Sequence, residues 1–224
     1  DGIVAAWDED GQGSALMHHA QAFYSVASAG EWTIAGTASG EVMFAGHHGS
    51  EPARVNAHQQ GVFAIVWDGN HLWTGGGDGK LIRWELAGNA WKSIQVFTVP
   101  EPSKIRFLCP SPKGMLLGTS GGWLGKLYEN QFLSFASNSD AAHYAGIFLP
   151  EKEAWIVASG DGHLSVFDET GKSVYRFPAH EGPIYRLVLA GECIWSASRD
   201  KRIKSWNVLD LAAQECIAFK SGGH

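Results

Sequence analysis

Along the whole chain, apolar stretches of strand length, such as Val62-Phe63-Ala64-Ile65-Val66-Trp67 and Leu81-Ile82-Arg83-Trp84, alternate with short punctuation rich in Gly, Asn and Asp. None of them sustains a 3.6-residue period long enough for a helix, so only strands are expected. The pattern also recurs. An Asp-Gly-like turn at Asp1, Ser39, Asp78, Gly121, Asp161 and Asp200 is followed six positions later by a Trp or a replacement for it, at spacings of 38, 39, 43, 40 and 39 residues. Self-similarity at roughly 40 residues in a strand-only chain predicts an all-β fold, a β-propeller of four-stranded antiparallel blades.

The third repeat shows the order within a blade. A strand starts at Val62, a second at Leu72, a hairpin passes through Asp78-Gly79, a third strand ends near Trp84, and a fourth runs from about Trp91 to Phe97. Asp-Gly between apolar runs is a strong hairpin signal because both positions tolerate positive φ. Asp161-Gly162 repeats it, Ser39-Gly40 and Gly121-Gly122 are weaker versions, and Asp200-Lys201 dispenses with the Gly.

On these residues the chain resembles the WD-repeat (WD40) β-propellers. The family pattern is a His opening the repeat, a Ser or Thr in the second strand, an Asp in the hairpin and a Trp in the third strand. His180, Ser196, Asp200 and Trp206 match all four positions, and His58, Thr74, Asp78 and Trp84 match with Thr for Ser. Physically, a buried indole N–H needs an acceptor; the hydroxyl supplies it and the His links that hydroxyl to the Asp. The other repeats depart from the pattern. Asp161 and Phe167 lack the hydroxyl at Val157, whereas Ser39 with Ala45 and Gly121 with Leu127 have lost both Asp and Trp, so packing is expected to hold those blades.

The expected partition is a single WD40 propeller domain over 1–224: a half blade at 1–19, then blades at 20–57, 58–98, 99–138, 139–179 and 180–224. Five complete blades plus a half blade amount to 22 strands. Asp1 already occupies a hairpin position and Ser221-Gly-Gly-His224 looks like another opening His, so the chain is expected to be part of a longer propeller, for which the resemblance implies seven blades. Were it to end here, its edges would be expected to pair with another chain.

Composition narrows the functional classes. With Lys+Arg 17 against Asp+Glu 23, a formal charge of -6 opposes binding to phosphate backbones, so no nucleic acid partner is expected. No apolar run reaches the roughly 20 residues of a membrane span, and no basic-then-apolar leader opens the sequence, so no membrane insertion is expected. Cys109, Cys193 and Cys216 stand far apart without a Cys-x-x-Cys, which suggests neither disulfides nor zinc and fits a reducing, cytoplasmic setting.

Catalytic readings fail on context. Ser196, His180 and Asp200 have the residue types of a hydrolase triad, but in this register the hydroxyl faces a buried Trp without cleft or oxyanion donors. Gly118-Thr-Ser120-Gly-Gly122 fits Gly-x-Ser-x-Gly yet sits in a hairpin rather than a strand-to-helix elbow. Gly75-Gly76-Gly77 precedes no helix N-terminus and reads as a close approach of strands. His18-His19 and His47-His48 are adjacent pairs whose side chains point to opposite faces of a strand. No catalytic residue, cofactor or metal site is expected.

Five residues after each opening position lie Tyr24, Phe63, Arg106, Tyr144 and Tyr185, four aromatics and a cation where apolar-core logic does not demand them. The resemblance implies that this position lies near the mouth of the central channel on the top face, with Arg199 reaching the same face. Aromatics and Arg are the usual hot-spot types. The expectation is a non-catalytic scaffold that binds a protein or peptide partner there. The alternative is a lectin-like propeller that stacks a carbohydrate or small molecule on the same rings.

Overall fold

The apolar stretches noted above become strands, and the breaks at 39–40, 78–79, 121–122, 161–162 and 200–201 become turns. The computed structural model describes residues 2–46, 51–137 and 139–208 and the backbone of 213–218. Asp1, His47-His48 and the segment Ser221–His224 therefore lie outside the described residues.

Among the described residues there are 22 strands, paired antiparallel with their neighbours in chain order. The first sheet has two, β1 (Gly2–Trp7) and β2 (Gly13–His19). Five sheets of four follow. The second comprises β3 (Phe23–Ala29), β4 (Trp32–Thr37), β5 (Glu41–Gly46) and β6 (Ala53–Asn56). The third comprises β7 (Val62–Trp67), β8 (Leu72–Gly76), β9 (Lys80–Ala87) and β10 (Ala90–Thr98). The fourth comprises β11 (Ile105–Ser111), β12 (Gly114–Thr119), β13 (Leu124–Tyr128) and β14 (Gln131–Ser134). The fifth comprises β15 (His143–Leu149), β16 (Ala154–Ser159), β17 (His163–Phe167) and β18 (Ser173–Pro178). The sixth comprises β19 (Ile184–Ala190), β20 (Cys193–Ser198), β21 (Arg202–Asn207) and β22 (Ala213–Ala218). This is a β-propeller. Among the described residues the one helical element is a 3-10 turn at Pro150–Lys152, between β15 and β16, where the proline presets the first φ.

The chain divides into two compact units, residues 1–110 and 111–224. In the first, Ile34, Phe44, Leu72, Trp84 and Trp91 form a core between the second and third sheets. Phe44 stacks on Trp91 at 5.9 Å and meets Trp84 edge-on at 5.7 Å, so the tryptophans here join one sheet to the next. Trp73 does something further: its indole N–H donates to Asp68 Oδ2 at 2.6 Å and closes the β7–β8 turn. A smaller cluster of Met17, Ala35, Met43 and Ala45 lies between the first and second sheets. In the second unit, Ile156, Leu164, Ile184, Ile194 and Trp206 form the equivalent core between the fifth and sixth sheets.

Candidate functional site

Two polar networks lie at the hairpin ends of the third and sixth sheets. In the third, the Trp84 indole N–H donates to Thr74 Oγ1 at 3.1 Å, Thr74 Oγ1 lies 2.9 Å from His58 Nε2, and His58 Nδ1 lies 3.0 Å from Asp78 Oδ1. In the sixth, Trp206 to Ser196, Ser196 to His180 Nε2 and His180 Nδ1 to Asp200 are all 2.8 Å. Since the carboxylate can only accept, His Nδ1 carries the proton, and Nε2 takes the hydroxyl hydrogen while that hydroxyl oxygen receives the indole. The Asp also caps its turn: Asp78 accepts the N–H groups of Gln59 and Lys80, and Asp200 those of Glu181 and Arg202. Ser196 is buried, with the His180 imidazole, the Trp206 indole and the Lys204 carbonyl oxygen around its hydroxyl.

In the second, fourth and fifth sheets the hydroxyl and the indole are both replaced. Buried pairs Ala35 with Ala45, Leu117 with Leu127 and Val157 with Phe167 occupy the two positions, so neither position carries a polar side-chain atom that needs a partner. Their hairpins are nonetheless not wholly apolar, which corrects the expectation of packing alone. In the second sheet the carboxylate is supplied by Glu41, whose Oε2 lies 2.6 Å from His19 Nε2 and 3.2 Å from Ser39 Oγ. His18, its neighbour, is exposed. In the fifth, Ser139 stands five residues before Tyr144 as His58 stands before Phe63, and it donates to Asp161 at 2.9 Å; Arg176 pairs with the same carboxylate. His143 is also new: it is buried at the register position of Val62 and Ile184 and bonds Ser159 Oγ at 3.2 Å and Gly122 O at 3.0 Å.

Burial pushes the imidazoles of His58, His143 and His180 below the ordinary histidine value of 6.5, although Asp78, Gly122 O and Asp200 respectively pull the other way. Burial alone would raise the carboxyls of Asp78 and Asp200, but the N–H donors and His partners around each hold it below the ordinary value of 3.8. For both kinds of group the folded state binds fewer protons than the unfolded chain, so the stability they contribute is present above the unfolded value and lost as pH falls. The urea midpoint should therefore decrease from about pH 6.5 downward, with a second loss below about pH 4. A flat midpoint between pH 7.5 and 5 would rule this out.

The aromatic positions share a backbone device. The strand register shifts between Phe23 and Ser25, Val62 and Ala64, His143 and Ala145, and Ile184 and Arg186, so Tyr24, Phe63, Tyr144 and Tyr185 are each the extra residue of a β-bulge. A bulge leaves its residue outside the ladder and re-aims the side chain. In the first unit Tyr24 stacks on Phe63 at 5.0 Å, and the Arg106 guanidinium and Lys104 ammonium lie 5.0 and 5.5 Å from the Phe63 ring. Tyr24 remains 50% exposed. In the second unit Tyr144 meets Tyr185 edge-on at 5.2 Å, and Tyr185 is 42% exposed. Arg199 is exposed, and its backbone N–H donates to Pro183 O. Among the described residues no group of three or more His, Cys, Asp or Glu is placed to hold a metal ion, and no helix is long and apolar enough to cross a membrane.

Residues 171–207 match the family model described as WD domain, G-beta repeat. No curated protein matches the sequence. Among solved structures, the β-propeller domain of Cps50 (Swd1) from Myceliophteria thermophila is similar with a TM-score of 0.74 at 15% identity, over 87% of this chain and 71% of that one. The WD40 β-propeller domain of Doa1 is similar with a TM-score of 0.79 at 14% identity, over 91% and 71%. WD40 propellers are generally protein-interaction scaffolds and typically non-catalytic. The chain thus carries a WD repeat at 171–207 and has the WD40 β-propeller fold.

Proposed function

We propose that the chain is a non-catalytic scaffold that binds a protein or peptide segment through its bulge-presented aromatics. The observation that supports this is the repetition of one bulge in four sheets, each time at an aromatic residue. Bulges recur where a side chain must be re-aimed, and an aromatic with a polar tip offers large contact area at low entropy cost. In the first unit, Arg106 and Lys104 against the Phe63 ring add a positive rim, which suits a carboxylate or the carbonyls of an extended peptide. Rigid sheets hold these groups in place before the partner arrives, which reduces the ordering cost of association.

The test is an affinity pull-down from the source lysate with the intact protein and a Phe63→Ala/Tyr144→Ala/Tyr185→Ala variant of matched circular dichroism and Tm. Specific partners of the intact protein should be lost from the folded variant. Retention of the same partners would move the interface elsewhere, and elution by simple sugars would favour carbohydrate binding on the same rings.

A further inference from the structure

We propose a second docking site, independent of the bulged aromatics, at the opposite ends of two of the same strands. Strands β15 and β19 begin near Tyr144 and Tyr185 and end in turns that, with the end of β21, enclose a groove of about 320 Å³. Five residues of extended chain place it roughly 16 Å from the aromatic pair. Its occupant is a protein segment in which one or two aliphatic side chains are flanked by lysine or arginine.

The groove's chemistry selects that partner. Its floor is apolar and well packed: Leu149 and Val208 are buried, and the half-exposed Leu189 and the exposed Pro150 form its walls. The volume is at the low end for ligand sites, roughly 300–1,000 Å³, and matches aliphatic side chains rather than a large ring system. The charged residues that line it, Glu151 and Glu192, are both carboxylates and both exposed. A negative rim over an apolar floor attracts a basic segment and repels an acidic one. The rim is preformed. The 3-10 turn carrying Glu151 is closed by the Glu153 N–H on Pro150 O, and the turn carrying Glu192 is tied to the floor by the Val208 N–H on Glu192 O at 2.9 Å.

The probe is a fluorescein-labelled peptide with a Leu-Ile pair flanked by two lysines on each side, followed by fluorescence anisotropy in 50 mM salt. Controls replace the lysines with glutamates or the Leu-Ile pair with serines. Saturable binding of the first peptide alone is expected, with affinity reduced at least tenfold in Glu151→Lys/Glu192→Lys. A charge-matched Glu85→Lys/Glu101→Lys variant separates a local effect from attraction to the chain's net charge of -6. The Phe63→Ala/Tyr144→Ala/Tyr185→Ala variant should bind the peptide as the intact protein does, so failure of the aromatic site leaves this result unaffected. Absence of saturable binding, equal binding of the serine peptide, or equal loss in both charge variants would overturn the proposal.

Discussion

Ser196→Ala should lower the free energy of unfolding by about 2–4 kcal/mol, although it removes a single oxygen. Two buried partners lose their hydrogen bond at once: the Trp206 indole N–H loses its acceptor and His180 Nε2 loses its donor. Each unsatisfied buried group costs about 1–3 kcal/mol. The fifth sheet shows what removes part of that penalty, because Val157 and Phe167 fill the same two positions with no polar atom to satisfy. Ser196→Ala/Trp206→Phe should accordingly be less destabilised than the two single changes combined, with a coupling of about 1–2 kcal/mol. Urea unfolding of the four proteins at pH 7.5 measures this. A single-mutant cost below about 1 kcal/mol, or strict additivity, would contradict the network described here.

Gly76→Ala should be more damaging, at about 3–5 kcal/mol. A Cβ built on Gly76 overlaps both the His58 ring and the Asp78 carboxylate, because the His–Asp pair lies directly over this glycine. The backbone cannot retreat, since Gly76 is held in register with Val62 and its carbonyl accepts the Gly79 N–H. Overpacking costs about 1–3 kcal/mol, and displacing His58 breaks its bonds to Thr74 and Asp78 as well. For a chain of this size that corresponds to a fall of roughly 10 °C in Tm. Gly182→Ala is the control: its added Cβ meets atoms only at ordinary contact distances of 3.7 Å and beyond, so a change within about 0.5 kcal/mol is expected. A Tm for Gly76→Ala equal to that of Gly182→Ala would show that the glycine is not required for space.

The repeat architecture was legible because Asp-Gly turns and strand-length apolar runs are local signals, and the third sheet begins and ends its strands close to where those signals lie. The two full His–hydroxyl–Asp–Trp sets were legible for the same reason, as four residue types at fixed offsets. The His19–Glu41 pair was not, because its carboxylate stands two residues beyond the turn position and reaches back on a longer side chain. His143 was hidden by sitting where the pattern calls for Val or Ile and by finding an acceptor on the backbone of Gly122. The aromatic positions were visible as a recurrence, but the bulges that present them were not, since a bulge depends on pairing with the next strand rather than on the residue itself. The acidic groove depends on turns whose sequences do not repeat, so nothing in the periodicity pointed to it.

The paired disappearance of hydroxyl and indole also sets an order in which such repeats can diverge. Replacing the indole first leaves the hydroxyl still donating to the His, a state with one weakened contact. Replacing the hydroxyl first strands an N–H in the interior. A lineage losing this lock is therefore expected to pass through a Ser-or-Thr-with-Phe intermediate, and the opposite intermediate, Ala or Val facing Trp, should be scarce wherever such blades are compared.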